Sequence, residues 1–194
     1  MSPEQGKQLL RIARATICSA LNAPYSTSEP VDETALWLTE PGATFVTLTQ
    51  HGGLRGCIGT LQAHRPLLID VKSNAVSAAL CDPRFLPLTR AEFAEVSVEV
   101  SLLTAPQSFG FTDEADALAQ LRPGTDGLVF EYGQNRSTFL PQVWESLPQP
   151  QLFLAELKRK AGLSRGFWAE GIKLSRYTVT KWCESDVIEE YSNG

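Results

Sequence analysis

The residues best placed to do chemistry cluster in one run, Gly52-Gly53-Leu54-Arg55-Gly56-Cys57-Ile58-Gly59-Thr60, in which four glycines surround one cysteine and one arginine. Glycine allows a tight backbone path and close approach of a partner to the amide N–H groups, so Gly56 and Gly59 are candidate binding positions through their backbone. A thiol flanked by Arg55 in such a loop is where a thiolate is stabilised, which makes Cys57 a candidate nucleophile or redox thiol. The competing reading is a small apolar residue packed beside Ile58. Exposure of the sulfur decides between them.

Other side chains could complete a site. Guanidinium groups hold carboxylate or phosphate bidentately, so Arg55 and Arg84 are candidate anion ligands. In Asp82-Pro83-Arg84-Phe85 the proline stiffens the loop and Asp82 could orient Arg84; the alternative is an Asp–Arg pair that only ties the loop down. His51, just before the glycines, could carry a proton at neutral pH, although a turn histidine is more often simply solvated. Glu99 stands on the polar side of an alternating segment with Glu95 and Ser97 and could reach a cleft as a base or metal ligand, although exposed strand carboxylates are the commoner outcome. Arg136 and Thr138 flank a turn and could line the same groove. Cys18, Cys81 and Cys183 lack glycine-rich surroundings and read as structural.

The elements that must carry these residues follow from periodicity. Ser2, Pro3 and Gln5 mark the start of a helix with Leu10, Ala13, Ile17 and Leu21 on one face, stopped at Asn22-Ala23-Pro24. Tyr25 to Pro41 reads as a surface connection. Ala43 to Thr49 alternates as a half-buried strand, His51-Gly52-Gly53 as a turn, and Gly56 to Leu61 as the next strand. Pro66 opens a helix to about Leu80 with Leu68, Val71, Ala75 and Ala79 inward and Asp70 and Lys72 outward. Glu95 to Leu102 is a strand burying Val96, Val98, Val100 and Leu102.

Thr112 to Glu114 start a short helix ending at Arg122-Pro123-Gly124. Gly127 to Tyr132 and Ser137 to Leu140 then flank a turn at Gly133-Gln134-Asn135. Pro150 opens a last helix that ends in Lys158, Arg159 and Lys160 before Gly162. A final strand covers about Ile172 to Trp182, and the acidic tail from residue 183 to 194 is expected to fray. The order α-β-β-α-β occurs twice without a sequence repeat, which suggests a duplicated topology. Hairpin-like connections outnumber crossovers, so the fold expected is α+β with a mostly antiparallel sheet and flanking helices.

Composition bounds the rest. With 43% hydrophobic and 20% charged residues, the 194-residue chain is a globular protein rather than a disordered one. A net charge of −5 argues against unspecific nucleic-acid binding. No basic-apolar leader or long apolar run is visible, and the four cysteines form no C-x-x-C pair; a cytoplasmic, reduced, membrane-free protein is expected. Cys57 and His64 fall short of a metal shell, so neither metal nor cofactor is expected. Signatures of zinc proteases, Walker ATPases and α/β-hydrolases are missing.

Leu54-Arg55-Gly56-Cys57-Ile58-Gly59-Thr60 resembles the signature of the AMMECR family, whose bacterial members are called protein A of the AmmeMemoRadiSam system. The likeness continues through Asp82-Pro83-Arg84-Phe85, Ser97 to Ser101, Gly124 to Gly127, Thr138 to Trp144 and Lys160 to Leu163, and so covers an AMMECR domain over residues 5–182. The resemblance implies two unequal lobes with the glycine-cysteine motif near the groove between them. It also implies a Memo-like protein and a radical SAM enzyme as partners. The chain itself has no C-x-x-x-C-x-x-C and cannot hold the radical SAM cluster. Two functions stay open: a modification-system component acting on a small anionic substrate or modified residue, and a non-catalytic adaptor or ligand-binding module.

Overall fold

The Ser2 hydroxyl accepts the N–H of Gln5 while the Gln5 side chain accepts the N–H of Ser2, and this capping box starts α1 (Pro3–Leu21). Pro3 occupies the first turn, where its missing N–H costs nothing. In the computed structural model, which describes residues 2–23 and 31–185, Leu10, Ala13 and Ile17 of this helix are buried and Leu21 partly so. Asn22, with φ 49°, ends the helix in the left-handed region. Pro24 and the first part of the expected connection lie outside the described residues. The rest of it contains a short 3-10 turn, Leu36–Leu38, that sends Leu38 into the core.

The next elements are β1 (Pro41–Gln50), β2 (Gly53–Gly59), β3 (Arg65–Pro66), α2 (Leu67–Leu80) and β4 (Val96–Leu103). His51 at φ 52° and Gly52 at φ 78° form the two-residue turn between β1 and β2, a geometry that matches the twist of paired strands. Beyond them come β5 (Gln107–Ser108), α3 (Glu114–Ala119), β6 (Gly127–Tyr132), β7 (Asn135–Phe139), α4 (Pro150–Lys160), β8 (Lys173–Tyr177) and β9 (Val179–Cys183). The expected last strand is therefore two strands. The chain leaves one sheet at Thr178, whose N–H and C=O bond Thr104, and enters the other.

Two compact units result, a larger one of residues 1–103 and 180–194 and a smaller one of residues 104–179. In the larger unit the strand order is β2-β1-β4-β9, with β3 paired to the start of β1; in the smaller it is β5-β8-β6-β7. Each unit contains a hairpin, a helix, and a third strand that returns antiparallel beside the hairpin's first strand, giving β2-β1-β4 in one and β7-β6-β8 in the other. That is the duplicated topology the element order implied. The fold is α+β with antiparallel sheets.

In the larger unit Val46, Leu48, Val98 and Val100 bury one sheet face against Leu9 and Ile12 of α1 and Val71 and Ala75 of α2. The burial rhythm of β4 changes near its end: Ser101 and Leu103 are buried and Leu102 is only partly so, because Ser101 lies opposite Phe45, whose ring occupies that face. A second departure concerns α2. Asp70 is fully buried instead of outward, and Leu68 is half-buried. The inward-facing Asp70 is matched by donors from β1, the segment after β2, β3 and α2 itself.

The smaller unit packs Leu128 and Phe130 of β6 against Phe153, Leu154 and Leu157 of α4, and Trp144 stacks on Phe153 with centroids 3.7 Å apart. Lys158 lies in the basic last turn of α4 as expected, and there it is buried and donates to Glu114 at 2.7 Å. Glu184, expected in a frayed tail, accepts the N–H of Val98 and the Arg14 guanidinium. Residues 186–194 of that tail lie outside the described residues.

Candidate functional site

Gly56 determines which way Cys57 points. A Cβ at Gly56 would lie 2.2 Å from the Ala78 carbonyl oxygen, so only glycine lets β2 lie this close to α2. Alternation then turns Cys57 to the opposite face. There it lies directly across from Thr47 of β1, and Thr47 Oγ1 donates to Cys57 Sγ at 3.3 Å. Thr47 in turn faces Glu99 of β4, and Lys181 of β9 comes within 3.6 Å of that carboxylate. One row across four strands thus carries a thiol, a hydroxyl, a carboxylate and an ammonium. Gly59, on the same face, makes room for the Phe45 ring, which a Cβ there would meet at 2.2 Å.

β2 is the edge of its sheet, and the backbone of Cys57 points outward from it. Side chains take the place of a further strand. Asp82 Oδ2 accepts the Cys57 N–H at 2.8 Å and Arg84 Nη2 donates to the Cys57 carbonyl at 3.1 Å. The two are joined to each other by Nε–Oδ1 and Nη2–Oδ2 bonds of 2.9 and 2.6 Å. The guanidinium of Arg84, with help from the N–H groups of Cys57 and Arg84, holds the Asp82 carboxyl well below the usual carboxylate range despite its burial. Arg84 is itself raised, chiefly by its bond to Asp82 and also by the nearby Cys57 sulfur. Its side chain is 53% exposed, whereas that of Asp82 is 2% exposed.

Arg55 is committed differently. It donates from Nε and Nη2 to Glu92 and from Nη1 to the Leu86 carbonyl, with only 13% of its side chain exposed. It ties β2 to the segment that follows Arg84. His51 sits at the hairpin turn, largely exposed and 3.3 Å from Glu95. Thr47, the partner of Cys57, is four residues along β1 from His51, roughly 13 Å of strand, so the imidazole is apart from the thiol. Arg136 and Thr138 belong to β7 of the smaller unit, where Arg136 pairs with Glu131 at 3.1 Å and Thr138 Oγ1 lies 3.0 Å from the Tyr177 hydroxyl.

The structure therefore brings Gly56, Cys57, Gly59, Asp82 and Arg84 together, with Glu99 two strands from Cys57. Thr47 and Lys181 join them although the sequence reading did not single them out. Thr47 carried a signal, since it falls on the polar side of the β1 alternation; Lys181 carried none, because the pairing of β9 with β4 is non-local. Asp70 supports the far end of β2: it accepts from Thr44, Thr60, Arg65 and Asn74. Among the described residues no three His, Cys, Asp or Glu side chains converge on a metal position.

Comparison with known proteins adds a family and a fold. The AMMECR1 family model matches residues 10–182. A protein of Methanococcus aeolicus is 34% identical over 199 residues, covering 99% of this chain and 94% of its own. Protein MJ0810 of Methanocaldococcus jannaschii is 36% identical, covering 96% of this chain and 90% of its own. The crystal structure of the uncharacterized protein PH0010 from Pyrococcus horikoshii superposes with a TM-score of 0.78 at 34% identity, covering 95% of this chain and 93% of that one.

Proposed function

The chain belongs to the AMMECR1 family, and from that footing we propose that it is component A of a modification system in which the strand face around Cys57 binds a small anionic substrate or a modified residue. Its partners in this reading are a Memo-like protein and a radical SAM enzyme, and the compartment is the cytoplasm. Among the described residues no helix is long and apolar enough to cross a membrane.

One observation carries the anion-binding part. Arg84 is fixed from one side by Asp82 and the Cys57 carbonyl, yet half its side chain remains open beside the thiol. A guanidinium held in place before the ligand arrives loses little entropy on binding. The Cys57 sulfur, oriented by the Thr47 hydroxyl, is the group such a ligand would meet. Asp82 offsets part of the positive charge of this guanidinium.

A second reading, a non-catalytic adaptor, draws on Leu86, which is 83% exposed two residues after Arg84. Backbone NMR separates the two. Titration with phosphate and with malonate should shift the amides of residues 55–60 and 82–85 saturably in the wild type, and Arg84→Gln should abolish the response. Shifts that are equal in the variant, or that merely follow ionic strength, would remove the anion site and leave the adaptor.

A further inference from the structure

The smaller unit holds a cleft of about 510 Å³ between residues 108–112 on one wall and 168–174 on the other. Three half-buried rings line it. Phe111 meets Phe109 at 6.0 Å and 62° and Trp168 at 5.5 Å and 57°, so the rings form corners rather than a stack. The Phe109 N–H donates to the Leu174 carbonyl, and Ile172 and Leu174 of the facing wall belong to the apolar core of the unit. Gly110 and Gly171 leave the walls bare, since a Cβ at either would meet nothing within 4 Å. The volume falls in the range of small-molecule sites, roughly 300–1,000 Å³.

Charge at the mouth narrows the ligand. Alternation along β8 turns Lys173 to the sheet face opposite Leu174, where Glu131 is its register partner. Lys158, 5.8 Å from the Trp168 centroid, is neutralised by Glu114 at 2.7 Å, and Arg176, 5.2 Å from the Phe109 centroid, is held by the Gln120 carbonyl. Glu170 borders the cleft with no hydrogen-bond or ion-pair partner among the described residues. On the other wall the Thr112 N–H donates to Asp116 at 2.9 Å, and the exposed Asp113 follows Thr112 in the chain. Both walls thus carry negative charge at the mouth of an aromatic interior, and one sign of charge along a cleft concentrates ligands of the other.

We propose that this cleft binds an arylalkylammonium ion, its ring against Phe109, Phe111 and Trp168 and its ammonium on Glu170 at the mouth. A carboxylate in the same place would be repelled by Glu170. The site lies wholly within residues 104–179 and is independent of the Cys57 face.

Calorimetric titration of the full chain tests it, with phenethylamine as the probe and 2-phenylethanol, 2-cyclohexylethylamine and L-phenylalanine as comparators. Phenethylamine should bind saturably. The uncharged 2-phenylethanol should bind about two- to five-fold more weakly, the range for a rim-exposed charge pair. 2-Cyclohexylethylamine, which keeps the charge without the aromatic face, should lose about two- to ten-fold. L-Phenylalanine should bind more weakly than phenethylamine because its carboxylate meets Glu170. Glu170→Gln changes an exposed side chain, so it should keep the thermal midpoint and bring the affinities of phenethylamine and 2-phenylethanol together. Absence of saturable phenethylamine heat, 2-phenylethanol binding as tightly in the wild type, or a preference that survives Glu170→Gln unchanged would overturn the assignment.

Discussion

Asp82 and Cys57 are joined by a 2.8 Å bond from the Cys57 N–H to a carboxylate that is almost wholly enclosed. The outer edge of β2 is closed at its cysteine by an acid and, through Arg84, by its counter-ion. Strand edges left open invite pairing with other chains. Here the closure also fixes an arginine beside a thiol.

This relationship makes stability acid-sensitive in a predictable direction. The folded Asp82 carboxyl lies well below its ordinary value of 3.8, so its contribution is full above that value and is lost as pH falls through the folded one. Urea unfolding measured from pH 6 to pH 2 should show the wild type losing stability below about pH 4. Asp82→Asn should be less stable at pH 6 by about 1–3 kcal/mol, a modest figure because water can reach the released Arg84. It should lose less on acidification.

Asp70 should matter more for folding. It is fully buried, and removing it leaves the Arg65 guanidinium and the donors of Thr44, Thr60 and Asn74 without their acceptor. Asp70→Ala should cost about 3–5 kcal/mol in chemical denaturation, the range for breaking a buried pair from one side. A loss below 1 kcal/mol would contradict this role.

The glycines of the motif should separate by mechanism. Gly56→Ala drives a methyl group into a helix carbonyl that cannot step aside, so a cost of about 2–3 kcal/mol is expected. Gly52→Ala meets open space and strains only the backbone at φ 78°, about 1 kcal/mol. Thermal unfolding of both variants checks the order.

The two arginines should divide their roles. Arg55→Ala breaks the link to Glu92 and Leu86, so it should lower stability by about 1–3 kcal/mol while phosphate-induced shifts at Arg84 persist. Arg84→Gln should remove those shifts, and because it leaves the enclosed Asp82 carboxylate to backbone N–H donors it too should lower stability by about 1–3 kcal/mol.

Much of this architecture was readable from local signals. The Ser2–Gln5 box, the alternation through Val46 and Leu48, the turn at His51-Gly52 and the strand of Val96, Val98 and Val100 are set by residues close together in sequence. Asp70 turns inward against expectation because periodicity assigns a charged residue to water unless its partners are known, and most of those partners come from other elements. The division of the final strand at Thr178 depends on Thr104, over seventy residues away. The cluster of Cys57, Asp82 and Arg84 was nameable as residue types. The Asp82–Arg84 pair could be read from two residues' separation, whereas the pairing of Arg55 with Glu92, thirty-seven residues on, comes only from the fold.

The most direct test of the anion site uses Cys57 as its own reporter. Alkylation rates at this residue, read by mass spectrometry, are compared for negatively charged iodoacetate and neutral iodoacetamide in the native and the urea-unfolded chain. A guanidinium held beside the sulfur should raise the native iodoacetate-to-iodoacetamide rate ratio about two- to five-fold over the unfolded one, as expected for a partly exposed charge, and Arg84→Gln should erase the increase. A native ratio equal to or below the unfolded one, or an increase that survives Arg84→Gln, would contradict the account.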